Sequence, residues 1–506
     1  DVAACFVELC RVGPQYGYYP EVNKSWAICA QADEPELRRV FAASELPVKW
    51  SRGQRYVGGF VGSKAMEHKW VHDKVEGWVH GVTKLAQIAK RYPQAAYAGF
   101  CVSLQSEWQH LSRALPGAEA YLQPVEDAIC AELIPALLQL QKGEMNANLR
   151  RMLSHGVKQG GMNIRNPVES APRQRESSVE GSKVLVASLL SGVELNGVEH
   201  ATSVRTASAA GRKARVEQEA AHMATLKAAA TRDGRKKLER RGLCGGWLSA
   251  RPSITGGTLL TREEFVDNAR LRYGFTPLDL CQRCDGCGAG MSVEHALNCK
   301  KGGLVGIRHN DVRDEAGALA ELAFPKTCVS YEPYIFYGAG ARVTGQAAQD
   351  GRSGKAGDEA RGDVMVHGLW KKGESCILDV RVTDTDAKSY RATSSAKVLE
   401  RAAKEKKGKY EQACLEQRRS FMPLIYSVDG MAGKEARAFE KRIAALLSKK
   451  WSREYSALAG WVKVRMALAV VRSNTMLLRG SRRRHSWRPE VEDGVAAGME
   501  GTLPDN

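Results

Sequence analysis

The apolar positions between residues 65 and 160 recur with the 3.6-residue period of an α-helix. Pro93 separates the first helical run from a second one, which continues through Leu104, Trp108 and Leu111, and a third run covers 124–152. The first run places its apolar residues on one face: Val71, Val75, Trp78, Val79, Val82, Leu85 and Ile88. This pattern predicts a helical bundle.

The second half of the chain alternates between helical and strand patterns. Strands are predicted at Val329–Tyr337, at Asp363–Trp370 and Ser375–Thr383 on either side of a Lys-Lys-Gly-Glu turn, and at Phe421–Val428. Helices are predicted at Asn310–Phe324, Ser394–Glu416, Gly433–Trp451 and 457–479, and the Gly-rich stretch 338–360 is predicted to be a loop. The fold class is therefore a multidomain α+β protein with a mixed sheet and C-terminal helices.

Two other regions have weaker patterns. Residues 1–64 indicate short strands and turns, including Ser25–Cys29 and a glycine-rich hairpin at Tyr56–Gly62. Apolar residues become sparse over 161–255, where arginine and lysine are concentrated, so we expect a basic flexible linker that is either partly disordered or loosely helical. Its charges form either a solvated helix face or a nucleic-acid contact. Thr261, three residues before Glu264, is a capping-box signal for a helix that runs to about Tyr273.

Charge and cysteine content restrict the class of partner. The formal net charge is +18, which favours polyanions, with nucleic acid first and an anionic membrane surface second. Thirteen cysteines, mostly scattered, indicate a reducing compartment. No apolar run reaches the ~18 residues of a transmembrane helix. The chain begins at Asp1 without a signal-peptide pattern, so we expect a fragment of a longer protein.

One cysteine cluster has the spacing of a zinc site. Cys284 and Cys287 form a Cys-x2-Cys pair, and His295 and Cys299 follow at His-x3-Cys spacing. Cys281 could replace Cys284 or remain unbound. Because four protein ligands would leave no position for water, the predicted zinc is structural. Lys300 and Lys301, directly after the last ligand, are candidate phosphate contacts.

A pair of aspartates lies on the predicted strand–turn–strand unit. Asp363 opens one strand and Asp379 lies late in its partner, so antiparallel pairing would bring the carboxylates together at one end of the sheet. Two carboxylates can hold Mg²⁺ or Mn²⁺, as in a restriction-type nuclease core, where a basic residue assists. The candidate basic residues and neighbours are Arg381, Lys397, Lys404, Lys406, Lys407 and Tyr410. Glu332 is either a further metal ligand or an ordinary edge-strand carboxylate.

These motifs together resemble the C-terminal part of non-LTR retrotransposon polyproteins that carry a restriction-like endonuclease after a CCHC knuckle. The resemblance rests on Cys284–Gly303, on Arg308–Asp314, on the pair Arg361-Gly362-Asp363 and Leu378–Val382, and on Lys404–Tyr410. Near the N-terminus, Gly17–Ser25 resembles the motif after the catalytic Tyr-x-Asp-Asp of reverse transcriptases, and Tyr56–Phe60 resembles the primer grip.

The resemblance implies a domain order and a function. It implies catalytic roles for Asp363, Asp379, Arg381, Lys404 or Lys406, and Tyr410, and nucleic-acid contacts for Lys24, Lys300, Lys301 and Arg308. The implied units are a palm remnant (1–64), a thumb-like helical domain (65–160), the basic linker (161–255), a helix with the CCHC knuckle (256–305), a restriction-like endonuclease core (306–432), and C-terminal helices with a basic tail (433–506).

The sequence departs from the family pattern at three points, which limit the functional roles that the resemblance implies for this chain. The sequence has no Tyr-x-Asp-Asp motif, Gly362 replaces the usual proline, and Arg381 replaces the usual lysine. The implied function is nicking of target DNA, so that its 3′ hydroxyl primes copying of the element RNA, in the nucleus. The alternative is an inactive, zinc-dependent nucleic-acid-binding remnant.

Overall fold

Helices dominate the described residues, whose strands form one four-stranded mixed sheet and three two-stranded pairings, so the predicted α+β class is confirmed. The structure is a computed structural model that describes residues 2–42, 48–336 and 360–483. Nearly all of the predicted loop 338–360, and the basic tail from residue 484 onwards, lie outside the described residues. No helix in the described ranges combines the length and apolar character needed to span a bilayer.

The N-terminal region contains two helices as well as the expected short strands. Its elements are α1 (Val2–Val12), β1 (Trp26–Ile28), α2 (Glu34–Ala42), β2 (Lys49–Ser51), β3 (Gly53–Tyr56) and β4 (Gly59–Gly62). The predicted hairpin is confirmed as the antiparallel pair β3–β4, whose two-residue turn at Val57 and Gly58 has positive φ at both positions. The prediction of strands and turns alone was wrong, because it missed α1 and α2.

The predicted helical bundle is confirmed. It contains α3 (Lys64–Ala89), α4 (Pro93–Gly99), α5 (Gln105–Ala114), α6 (Gln123–Ala128), α7 (Ile134–Leu138) and α8 (Ala147–Ser154). Pro93 occupies the first turn of α4, where a missing N–H costs nothing. Most of the predicted apolar face of α3 packs into a core that also holds Trp108 and Leu111, but Ile88, predicted on the same face, is 45% exposed. Trp78 and Trp108 meet edge to face there, with ring centroids 6.1 Å apart.

The region predicted to be a partly disordered or loosely helical linker contains three helices that are capped and packed, so it is not a flexible linker. It contains α9 (Pro167–Ser191), α10 (Gly197–Ala229) and α11 (Arg232–Arg241). Each of these three helices begins at a polar N-cap residue whose side chain accepts a hydrogen bond from a backbone N–H group. The N-cap residues are Asn166, Asn196 and Thr231. Helices α9 and α10 pack against each other as a long hairpin, and α11 packs elsewhere, against residues 384–395.

The middle of the chain carries the cysteine cluster. It contains α12 (Arg262–Tyr273), α13 (Val293–Asn298) and α14 (Leu304–Ala323). The capping box at Thr261 is confirmed, because the Thr261 hydroxyl accepts from the Glu264 N–H and the Glu264 carboxylate accepts from the Thr261 N–H. Gly274 ends α12 in the left-handed conformation.

The C-terminal half forms the mixed sheet. Its elements are β5 (Val329–Tyr331), β6 (Tyr334–Phe336), β7 (Ala360–Arg361), β8 (Val364–His367), β9 (Ser375–Thr383), α15 (Ser395–Glu416), β10 (Arg419–Ser427), α16 (Lys434–Trp451) and α17 (Tyr455–Arg479). The strand order is β10-β9-β8-β5, with β10 parallel to β9 and the other neighbours antiparallel. Six predicted elements match the bounds of β8, β9, β10, α15, α16 and α17 to within a few residues, whereas the predicted strand Val329–Tyr337 is divided into β5 and β6.

Helices cover both faces of this sheet. One face packs against α14, α16 and α17 through Val364, Val366, Leu378 and Leu424. The other packs against α15, where Ile377 meets Cys414. Since side chains alternate along a strand, the residues of β9 that share a face with Ile377 are Asp379 and Arg381. The fold therefore directs Asp379 towards α15.

Candidate functional sites: a Cys3His cluster and an aspartate pair

The four predicted metal ligands converge. One ligand atom from each of Cys284, Cys287, His295 and Cys299 lies within 4.8 Å of the others. The Cys284 and Cys299 sulfurs are 3.8 Å apart, and the Cys287 sulfur is 3.4 Å from His295 Nε2. Sulfur atoms bound at about 2.3 Å to a tetrahedral zinc lie about 3.8 Å apart. The geometry and the donor set thus fit a zinc ion, and exposed Cys281 lies outside the converging group.

Local backbone bonds build this cluster from two short pieces. Cys284 and Cys287 lie on a tight loop in which Gly288 donates to the Cys284 carbonyl and Cys284 donates to the Ala289 carbonyl, both at 2.8 Å. His295 lies in the first turn of α13, which Ser292 caps, and Cys299 ends that helix. Burial opposes ionisation of Cys284, but hydrogen bonds from His295 and from nearby backbone N–H groups lower its pKa to about 6. Such a thiol is readily available as a thiolate ligand.

The two predicted aspartates lie on neighbouring strands. Val364 pairs with Leu378, and Asp363 and Asp379 occupy the next position of the same antiparallel register. Asp363 donates its N–H to the Leu378 carbonyl, and its Oδ2 accepts from the Val380 N–H. Both side chains are largely buried, with Asp363 9% and Asp379 4% exposed. Burial raises the pKa of Asp379, the nearby Asp363 raises it further, and Lys406 acts in the opposite direction.

Gly362 is explained by this packing. A Cβ atom at position 362 would collide with the Ile377 side chain on the neighbouring strand. Glycine therefore allows the chain before β8 to approach β9 closely, which places Asp363 beside Asp379. The departure from the proline of the family motif has a local steric cause.

Of the predicted basic residues, only Lys406 reaches the aspartates. Its Nζ lies 2.8 Å from Asp379 Oδ2. Tyr410 lies one turn further along α15, and the Lys406 Nζ is 5.6 Å from the centroid of its ring. The Tyr410 ring also contacts the ring of Phe421. Lys404 is exposed and pairs with Glu400 at 3.3 Å. Arg381 pairs with Glu405 at 2.8 Å, so its charge is directed away from Asp379.

His309 is a site residue that sequence reasoning missed. Its Nε2 lies 2.8 Å from Asp363 Oδ1, so α14 contributes to the site as well as the sheet and α15. The signal was present in the sequence, because His309 falls inside the run Arg308–Asp314. Glu332, in contrast, pairs with Arg313 at 2.9 Å, and its side chain is more than half exposed.

The predicted nucleic-acid contacts divide into exposed and buried residues. Lys24, Lys300 and Lys301 are exposed, and Lys24 lies 3.7 Å from Glu21. Arg308 is 3% exposed, and its guanidinium donates to the Leu297 carbonyl at 3.1 Å. Burial lowers the pKa of Arg308 to about 10. Arg308 therefore joins α14 to α13 from a buried position, whereas the three predicted lysine contacts lie at the surface.

Comparison with known proteins identifies no family for this chain. Neither the protein-family models nor the curated proteins include a match to this chain.

Proposed function

We propose that this chain is a metal-dependent DNA endonuclease, a fragment of a retrotransposon polyprotein that nicks target DNA for target-primed reverse transcription. The main support is the contact of Lys406 with Asp379 at 2.8 Å, beside Asp363 on the neighbouring strand. The mixed sheet with helices on both faces supports a restriction-endonuclease-like core at 306–432. The bundle at 65–160 supports the thumb-like assignment, and 1–64 is then the palm remnant.

The aspartate pair fits a hard divalent cation, Mg²⁺ or Mn²⁺. Burial raises the pKa of Asp379, and the charge of Asp363 adds a smaller effect in the same direction. A cation between the two carboxylates would offset both effects. A bound Mg²⁺ would supply an activated water and neutralise phosphate charge.

The chain's own residues have separate roles in this proposal. His309 and the Val380 N–H orient the Asp363 carboxylate. Lys406 stabilises negative charge on the scissile phosphate, and Tyr410 holds the lysine in place. Lys404 and Arg381 are not needed, since each is paired with a glutamate on α15.

The Cys3His cluster holds a structural zinc in this proposal. Zinc would fix the loop at 284–288 against α13, with the exposed Lys300 and Lys301 beside it to contact phosphates of DNA or element RNA. Replacing Cys284 with Ser should remove about one zinc per chain, while Cys281→Ser keeps it. Equal zinc content in both variants would contradict this assignment.

An inactive nucleic-acid-binding remnant is the second candidate. It is favoured by the contacts that the aspartates make within the protein, since Asp379 pairs with Lys406 and Asp363 contacts His309. A nicking assay on supercoiled plasmid separates the two candidates. We expect the unsubstituted protein to nick DNA in the presence of Mg²⁺ or Mn²⁺, and we expect Asp379→Asn to lose this activity. The same background nicking in both proteins would leave the remnant as the function.

A further inference from the structure

A groove lined by arginines follows the α9–α10 hairpin, away from both sites described above. Its volume is about 550 Å³, and its walls come from α5, from Arg165 two residues before α9, and from α9 and α10. The arginines that line it are Arg113, Arg165, Arg173, Arg212 and Arg215. Between them lie Ser170, Ser177, Ser178, Ser182 and Ser208.

The groove carries more positive charge than the neighbouring carboxylates compensate. No aspartate or glutamate is among its lining side chains. Glu219 lies at one end of the groove, 3.5 Å from Arg215, and its charge also acts on Arg165 and Arg173. Glu169 lines the adjoining pocket with the same three arginines, so Arg113 and Arg212 are the arginines without a carboxylate among the groove or pocket side chains. Arg212 donates to the Ser208 hydroxyl at 2.7 Å and Arg173 to the Gln218 amide, which are neutral partners.

The arginines also affect one another. Burial lowers the pKa of Arg165, and the neighbouring charges of Arg215 and Arg113 lower it further. Guanidinium groups stay protonated under all ordinary conditions, so the neighbouring arginines repel one another. A bound anion would offset this repulsion. The arrangement is fixed from outside the groove, because Arg175 donates to the Arg113 carbonyl at 2.7 Å and holds the start of α9 against the end of α5.

The dimensions favour a polymer over a single anion. The lining runs along α9 from Ser170 to Leu185, which corresponds to about 22 Å at 1.5 Å per residue. One nucleic-acid strand carries a phosphate about every 3.4 Å along a helix axis, so this length spans about six nucleotides. Serine hydroxyls and arginines are typical donors to phosphate oxygens. No Phe, Tyr or Trp lines the groove, and His200 is its one aromatic ring, so the lining favours contacts to phosphates over stacking of successive bases.

We propose that this groove binds the sugar–phosphate backbone of a nucleic-acid strand, independently of its sequence. The inference deepens the proposed function. It rests on that function only for the statement that the bound polymer is a nucleic acid. It also separates the basic residues of 161–255 into two groups. Arg212 and Arg215 face the groove, whereas Lys236, Arg240 and Arg241 are buried and join α11 to its neighbours.

The test measures binding of labelled 20-nucleotide single strands and duplexes by fluorescence anisotropy over a range of salt concentrations. All proteins carry Asp379→Asn and no Mg²⁺ is added, so a failure of the nuclease proposal cannot affect the result. The groove variant is Arg113→Gln with Arg212→Gln. The control is Arg205→Gln, an exposed arginine on α10 outside the groove.

We expect the groove variant to bind at least tenfold more weakly at low salt and to lose about 1.4 from the salt slope for a single strand, about 0.7 per phosphate contact. Arg205→Gln should bind as the parent does. A loss confined to single strands or to duplexes identifies which of them supplies the backbone. Unchanged affinity and slope for both would overturn the proposal. Inorganic phosphate and anionic vesicles are tested as further probes. If the groove variant loses binding of only one of these probes and keeps its binding of both oligonucleotides, the proposal is overturned in favour of a free anion or a lipid surface.

Discussion

At the scale of single residues, the structure resolves a choice that the sequence left open. Lys404 and Lys406 are two positions apart, so their side chains leave α15 about 200° apart and only one can face the sheet. Sequence spacing identified both aspartates and all four cluster ligands, because each set is defined by short-range patterns. It could not select Lys406 or find His309, since those depend on how α15 and α14 are rotated against the sheet.

The first prediction uses this pair of lysines. Lys406→Met should reduce Mg²⁺-dependent nicking by about 10²-fold or more, because it removes the charge beside Asp379. Lys404→Met is the matched control and should leave nicking nearly unchanged, since its side chain pairs with Glu400 in solvent. Initial rates on supercoiled plasmid measure both. Equal effects of the two substitutions would show that the contact has no role in nicking.

A buried carboxyl in the sheet core gives a pH-dependent prediction. Glu440 accepts a hydrogen bond from the buried Tyr426 hydroxyl, and burial raises its pKa from 4.5 to about 7, against the effects of Tyr426, Lys463 and Arg437. An acid with a raised folded-state pKa stabilises the fold below its unfolded pKa, and that contribution is lost as the pH rises through 7.

Glu440→Gln removes this titration. We expect the variant to unfold at a higher temperature than the parent at pH 8, with an upper limit of about 3 kcal/mol in stability, and at a similar temperature at pH 4. Thermal unfolding at the two pH values measures the difference. A Tm difference that does not change with pH would contradict the raised pKa.

At the scale of elements, the strands and the helices flanking them were predictable, but the α9–α10 hairpin was not. The predicted strand Ser375–Thr383 has the observed bounds, because it is a long run of β-branched and apolar residues closed by turns. Helices α9 and α10 instead meet through small residues. Gly181 faces Val204 and Ala207 so closely that the two backbones approach without a large apolar stripe. Hydrophobic periodicity cannot detect a helix pair of this kind.

Helix α11 gives the prediction at this scale. Arg240 is 6% exposed and pairs with Asp386 and Asp429, and it also bonds the Ser395 hydroxyl at the start of α15. Arg240→Met would leave two carboxylates, each about one-third exposed, without the guanidinium that bridges them, which should cost about 1–3 kcal/mol. Lys237→Met, an exposed position on the same helix, is the control.

Urea unfolding at neutral pH measures both α11 variants. If α11 were a flexible linker, as the sequence indicated, Arg240→Met and Lys237→Met would unfold at the same urea concentration as the parent. A lower midpoint for Arg240→Met alone supports the docked helix of the structure.

At the scale of the whole molecule, α17 connects the parts of the chain. Val464, Leu468 and Val471 are buried in the core of the helical bundle, whereas Val462, Met466 and Val470 are buried in the core beneath the sheet. Leu477 packs with Leu297 of α13, next to the cysteine cluster. One helix thus contributes to three cores, so disturbing its C-terminal end should affect the cluster without changing a metal ligand.

Arg482 allows this coupling to be measured. It is 2% exposed, its guanidinium donates to the Ala296 carbonyl of α13 at 2.9 Å, and its N–H donates to Asp285 between the first two ligands. A Cβ at Gly286 would lie 2.6 Å from that of Arg482, so the ligand loop fits closely around this residue. Because the partners of metal ligands set their orientation, Arg482→Met should weaken zinc affinity by about 10-fold.

The control for this prediction is the next residue. Arg483 is exposed and bonds Asp285 through its backbone N–H at 3.3 Å, so Arg483→Met should retain the parent's zinc affinity. Competition with a chromogenic chelator measures all three proteins. Equal affinities would mean that the cysteine cluster folds independently of α17, and the chain would then act as separable units. A selective loss in Arg482→Met would mean that zinc binding, the bundle and the sheet are stabilised together, through the one helix that all three share.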